Sequence, residues 1–204
     1  RHMSAPPPDA FAALIERRAG YEPVAYITGC QEFYGRAFAV TPDVLIPRGD
    51  SEVLVETALS AAPGAKRVLD LGTGSGALLV TVLLELPPAN GVGTDASTGA
   101  LAVAEANARR LGLGPGRARF EPRDWTQTGW DEGLGVFDLI LTNPPYVETG
   151  AQLDRDVRDY EPAGALFAGE DGLDDYRVLI PQLRTLLDRD GIAVLEIGHS
   201  QGDA

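Results

Sequence analysis

Arg67-Val68-Leu69-Asp70-Leu71-Gly72-Thr73-Gly74-Ser75-Gly76 decides the fold of this chain. Its first half is a short apolar run with the look of a buried strand. Glycines then stand at every second position, and Gly76–Glu85 follows as an apolar run that reads as a helix ending before Pro87 and Pro88. Strand, tight glycine turn and helix are thus packed into 19 residues (67–85). Glycine has no Cβ, so the chain can turn sharply and a ligand can approach the backbone. The start of the helix adds unpaired N–H groups at the same place.

Downstream, Gly91–Asp95 reads as a weaker strand whose last residue is a carboxylate. It lies about 20 residues past the glycine turn, where an acidic group accepts hydrogen bonds from a ribose diol. The parts together predict a site for a nucleoside-containing cofactor. Gly72-x-Gly74-x-x-Ala77 also satisfies the dinucleotide fingerprint, whereas the Gly-Lys-Ser/Thr of a triphosphate-binding loop is missing. Asp70, at the strand end, suits the cationic amino group of a methionine moiety and would repel a pyrophosphate. That favours S-adenosylmethionine over NAD.

Outward from this core, strands and helices alternate. A helix runs from a cap at Asp50 or Ser51 to about Ala61, with Leu54, Val55, Ala58 and Leu59 at helical spacing. Thr98–Leu111 is a helix with Leu101, Ala104, Ala108 and Leu111 inward, closed by Gly112. Ala118–Arg123, Phe137–Thr142 and Ile192–Ile197 read as further strands. A helix near Gly172–Leu187 carries Tyr176, Leu179, Ile180, Leu183 and Leu187, with a kink or second start expected at Pro181. Such alternation implies a mostly parallel, Rossmann-like α/β sheet covered on both faces, with ligands beyond the carboxyl ends of the strands. Before it stand a proline-rich linker at Ser4–Pro8, a helix at Asp9–Ala19 and an aromatic hairpin at Glu32–Val40. Residues 1–8 read as tag remnant and linker, 9–50 as a helix-plus-hairpin unit, and 51–204 as the catalytic domain.

The 204 residues carry a formal charge of −13, which opposes broad contact with nucleic acid phosphates. No apolar run is long enough to predict a membrane span. One cysteine, Cys30, excludes an internal disulfide and a cysteine-rich metal centre, and fits a reducing cytoplasm. Chemistry is left to backbone, carboxylates and amides.

Asn143-Pro144-Pro145-Tyr146, at the end of strand Phe137–Thr142, supplies that chemistry. Consecutive prolines fix φ and remove two donors, giving a stiff turn with carbonyls in set directions. The Asn143 side-chain carbonyl and the Pro144 backbone carbonyl can accept from both N–H bonds of one NH2 group. Tyr146 can lie against the flat face of an amide or base. Gripping both hydrogens of an amide enriches its nitrogen and aims it at an electrophilic carbon.

With these motifs in hand, the chain resembles the HemK/PrmC family of release factor glutamine methyltransferases. The likeness runs from about Ala10 to Asp203 and includes Pro23–Gly29, Glu32–Gly35, Leu45–Arg48, Leu69–Gly76 and Asn143–Tyr146. It continues through Val157–Pro162, Gly169–Leu173 and Leu195–His199. The resemblance implies a class I methyltransferase fold with S-adenosylmethionine held by Gly72, Thr73, Gly74, Ser75, Gly76, Asp95 and Asn143. It also implies that Trp125, after Asp124, lies beside the adenine. The substrate would be a glutamine amide in the Gly-Gly-Gln loop of a peptide chain release factor, seated on Asn143, Pro144, Pro145 and Tyr146 with Arg48 nearby. Gly49 departs from the family's proline after the Pro-Arg pair and loosens that corner. The charged stretch Asp154–Glu161 would form a substrate rim, with Arg158 and Glu161 as contacts. Relatives carry a longer N-terminal helical domain and two more C-terminal strands, so the natural protein is expected to continue beyond Ala204. Adenine N6 has the same planar NH2 group, so a nucleic-acid amino-methyltransferase is a second reading, and a non-catalytic cofactor-binding protein a third.

Overall fold

Five parallel strands form the sheet that the alternating pattern predicts. The structure is a computed structural model and describes residues 11–202. The tag remnant, the Ser4–Pro8 linker and the Asp9 cap lie outside the described residues. The elements are α1 (Phe11–Ala19), α2 (Val24–Thr28), β1 (Cys30–Phe33), β2 (Arg36–Ala39), α3 (Glu52–Ala61), β3 (Arg67–Leu71), α4 (Ala77–Glu85), β4 (Asn90–Asp95) and α5 (Thr98–Arg110). They continue with β5 (Ala118–Pro122), β6 (Phe137–Thr142), α6 (Arg155–Tyr160), α7 (Asp174–Leu186) and β7 (Leu187–Leu195). The sheet order is β5-β4-β3-β6-β7. The chain moves outward from β3 on one side and then returns to β6 on the other. The switch point therefore lies between β3 and β6, where open α/β sheets leave a crevice.

Burial on both faces explains why the central strands β3 and β6 are largely apolar. On β3, Val68 packs toward α3 and α4, while Leu69 and Leu71 join Leu179, Leu183 and Leu186 of α7. Seven residues of α4, Ala77–Leu83, are buried, so this helix is apolar all round rather than striped. Leu79 and Leu83 are fully enclosed, and each such side chain contributes roughly 1.5–3 kcal/mol on leaving water.

The hairpin β1–β2 turns at Tyr34 and Gly35, both at positive φ, the geometry whose twist suits a two-residue connection. Phe33 and Phe38 meet edge to face at 6.1 Å and bury against α3 and α4. Asn107 of α5 holds the hairpin down. Its Nδ2 donates to Ala39 O at 3.0 Å and Ser75 O at 2.9 Å, and its Oδ1 accepts from Ala39 N at 2.8 Å. One fully buried amide therefore joins the hairpin, the glycine loop and α5.

Three local differences have physical causes. α2 and α6 are too short, at five and six residues, for hydrophobic periodicity to show. Strand β7 starts at Leu187, not Ile192: Leu187 pairs with Phe137, then Ile192 with Leu139, and an irregularity absorbs the residues between. Asp188-Arg189-Asp190-Gly191 reads as a turn by composition, and the bulge is where that turn chemistry is used. Helix α7 runs through Pro181 as a single element, with no second start, and Ile180 is exposed rather than inward.

Candidate active site

A cavity of about 500 Å³ opens at the carboxyl ends of β3, β4 and β6. Its floor is the glycine loop. Gly72 N and Thr73 N donate to Thr94 O at 2.9 and 2.8 Å, and Gly74 N donates to Asp95 Oδ2 at 2.9 Å. The loop is thus sewn to the end of β4 by its backbone N–H groups, an arrangement that needs the positive φ of Gly72 (72°) and Gly74 (54°). Gly76, also at positive φ, serves packing instead. A Cβ there would stand 3.1 Å from Ala104 Cβ of α5, and Gly76 does not line the cavity.

Asp95 stands on the cavity wall, with Oδ1 accepting from Ser97 N at 2.9 Å. Burial pushes its carboxyl above the ordinary range while the Ser97 and Gly74 N–H groups pull it back. Each oxygen keeps a further lone pair for a hydroxyl of the ligand. Asp124 and Trp125 line the same wall. Asp124 accepts from both the hydroxyl and the N–H of Thr126, which hold its carboxyl below the usual range.

The sequence places Asp70 beside a ligand ammonium; in the structure it is fully buried beneath the loop, behind the residues of the cavity wall. The cause is strand alternation, which turns it to the α4 face with Val68. Its Oδ2 accepts from Thr73 Oγ1 at 2.6 Å, bracing the loop, and Oδ1 has no hydrogen-bond partner among the described residues. Burial raises its pKa to about 7, against the pull of the Thr73 hydroxyl. An unfolded aspartate titrates near 3.9. This raised value means that the native state gains most from the group below about pH 4 and loses that gain as pH climbs to about 7. Asp70→Asn keeps an acceptor for Thr73 and removes the titration. The variant should be more stable than its parent by roughly 1–3 kcal/mol above pH 7, with the gap closing toward pH 4. Denaturation curves at pH 4, 6 and 8 check this; a gap independent of pH would refute it.

The Asn-Pro-Pro-Tyr segment meets the cavity through Asn143 and Pro145. Asn143 Nδ2 donates to Ser51 Oγ at 3.4 Å, which leaves its carbonyl as the free end of the amide. Pro144 is buried off the wall. Tyr146 is half-buried and also off the wall. Its carbonyl accepts from Gln201 Nε2 at 3.2 Å, and its ring passes Gly198. Burial raises its hydroxyl pKa, and the nearby Glu196 carboxylate adds to the effect.

Arg48 lines the cavity and is held by Glu161, whose Oε2 accepts from Ile46 N at 3.1 Å. Glu161 is buried, so it braces the corner and is not a rim contact as the sequence suggests. Arg158 pairs with its neighbour Asp159 in solvent. The stretch around them is ordered as α6 against the N-terminal helices, with Arg18 near Asp156 and Tyr160 Oη donating to Gly20 O at 2.7 Å.

Sequence reasoning missed four residues: Ser51, Asn107, Asp175 and Arg123. Ser51, Asp175 and Arg123 line the cavity. Ser51 lies 92 positions from Asn143, and no spacing rule links them. Its only local signal is that of a helix cap, and its side chain makes no cap bond.

A glycine loop sewn to an acidic strand end, with a rigid amide acceptor on the next strand over the same crevice, defines a class I methyltransferase. Comparison with known proteins narrows this. Residues 49–159 match the model of the methyltransferase small domain. The release factor glutamine methyltransferase of Geobacter sulfurreducens is 45% identical over 205 residues, covering 96% of this chain and 69% of that protein. The enzyme of the same name from Caulobacter vibrioides is 43% identical, covering 100% and 71%. In structure, an S-adenosylmethionine-dependent methyltransferase from Agrobacterium tumefaciens superposes with a TM-score of 0.59 at 19% identity, over 85% of this chain and 53% of that one; that likeness concerns the fold. The chain belongs to the release factor glutamine methyltransferase family.

Proposed function

We propose that this chain transfers a methyl group from S-adenosylmethionine to the side-chain amide nitrogen of the glutamine in the Gly-Gly-Gln loop of peptide chain release factors. The cavity suits the cofactor on two counts. A Cβ on Gly72 would fill the space beside Trp125, at 3.2 Å from its ring. Asp95 offers lone pairs at the ribose position from the cavity wall. The cofactor, when bound, supplies a methyl carbon made electrophilic by a positively charged sulfur.

The chain's residues prepare the nucleophile. Asn143, tethered to Ser51 through Nδ2, turns its carbonyl to one N–H of the substrate amide; the Pro144 carbonyl takes the other. Both acceptors gain strength as nitrogen loses conjugation with its carbonyl and becomes more acidic, so they favour the transition state over the ground state. With the cofactor held by the glycine loop and Asp95, its methyl carbon would take the nitrogen lone pair in place of the bond to sulfur, and the surplus proton on nitrogen would pass to solvent. No strong base is needed before attack, and His199 is exposed and off the cavity wall.

The observation that carries this reading is the Ser51–Asn143 contact on the wall of the cavity that the glycine loop floors. Asp95, Asp124 and Trp125 would hold the nucleoside, and Arg48 would stand on the substrate side. A net charge of −13 favours a protein substrate over nucleic acid, and a reaction on release factors would take place in the cytoplasm. Incubation with methyl-labelled cofactor, a release factor and duplex DNA tests it. Label is expected on the release factor at its Gly-Gly-Gln glutamine; label on DNA alone, or none, rejects it.

A further inference from the structure

Helix α7 grips the loop that follows β5 at three points. Trp125 Nε1 donates to Asp175 Oδ1 at 2.8 Å. Gln182 Nε2 donates to Trp125 O at 3.3 Å, and Gln182 Oε1 accepts from Trp130 Nε1 at 2.5 Å. Both tryptophans of the chain are therefore hydrogen-bonded to one helix. Trp125 is pinned a third way, because its six-membered ring lies against the Cα of Gly72, where a Cβ would stand 3.2 Å from Cη2. Asp175 and Trp125 both line the cavity.

An indole has one donor. With that donor fixed at one edge and the glycine loop against the other, the ring has no freedom to tilt. We infer that Asp175 is a positioning residue for the nucleoside end of the cofactor, holding the Trp125 ring plane through the Nε1–H bond. The inference rests on the proposed cofactor reading and adds to it a residue on another element, 50 positions away. Holding the plane in advance spares the ligand the cost of ordering a large side chain on binding, and that is where affinity is gained. The bond acts on binding alone, so its loss should raise KM for the cofactor and leave kcat at saturation unchanged.

Asp175→Asn keeps an acceptor for Nε1–H, and Asp175→Ala removes it. S-adenosylhomocysteine affinity, followed by titration calorimetry, should fall about tenfold in the alanine variant and stay within about threefold in the asparagine variant. Indole emission of the ligand-free alanine variant should change, while the asparagine variant keeps the parent spectrum. Should Asp175→Ala fail to fold, Asp175→Leu, which fills the same space without an acceptor, should show the same loss of affinity and the same change in emission. Parent and alanine variant binding alike, or a loss that asparagine does not rescue, overturns the inference. If the parent itself does not bind S-adenosylhomocysteine, the cofactor reading fails instead.

Discussion

Asn143→Ala should lower methyl transfer to a release factor glutamine by about 10²–10³-fold, the usual cost of removing one preorganised group from a developing charge. Affinity for S-adenosylhomocysteine should change far less, because the glycine loop and Asp95 remain. The asymmetry follows from where Asn143 acts. An amide nitrogen attacks only as its conjugation is lost, and the acceptor on its hydrogen gains strength during that loss. Alanine also leaves Ser51 Oγ without its partner, and water entering there would not restore the aim. Single-turnover kinetics with pre-bound cofactor isolates the chemical step. Undiminished transfer by a cofactor-loaded Asn143→Ala enzyme would remove the basis for the proposed mechanism.

Gly172→Ala should be the most damaging small change outside the cavity. Gly172 sits at φ 72°, and an added Cβ would stand 2.2 Å from Tyr146 O and 3.0 Å from Tyr146 C. These are backbone atoms of the Asn-Pro-Pro-Tyr turn, and two prolines leave that turn little room to yield. Either the loop from Gly169 to Gly172 is displaced or the turn moves. A misplacement of about 1 Å at a catalytic group costs about 10²-fold in rate, and the strained conformation adds roughly 1–2 kcal/mol of destabilisation. Gly29→Ala is the matched control, since Gly29 has φ 70° with nothing within 4 Å of its Cβ position. It should lose the same roughly 1–2 kcal/mol of stability from the backbone alone and no activity. Melting temperature and kcat/KM for both variants decide the matter; equal behaviour would show that the contact with Tyr146 is unimportant.

The central sheet was legible because its signals are local. Arg67–Leu71 and Phe137–Thr142 were bounded correctly by apolar runs between turn residues, and Gly72, Gly74 and Asp95 announced the crevice. What could not be read was the direction in which each side chain points. Asp70 and Tyr146 belong to the right segments, yet one faces α4 and the other is half-buried beside Gly198 and Glu196. Direction depends on strand alternation against neighbours that are distant in sequence. The supporting residues were hidden for the same reason. Ser51 to Asn143, Asp175 to Trp125 and Arg48 to Glu161 span 92, 50 and 113 positions, and single polar residues at such distances carry no periodic signal. Glu161 shows the converse error, since a charged stretch reads as solvated or substrate-facing until a buried partner is seen.

Asn107 binds Ala39 and Ser75 with one amide, so the β-hairpin and the glycine loop rest on a common peg. Neither can open for solvent exchange without loosening the other, and they form one cooperative unit of local unfolding. Ligand that quiets the loop should therefore quiet the hairpin through Asn107, beyond the single residue, Phe33, that the hairpin lends to the cavity wall. Part of the binding free energy at the crevice would then go into ordering the hairpin as well as the loop.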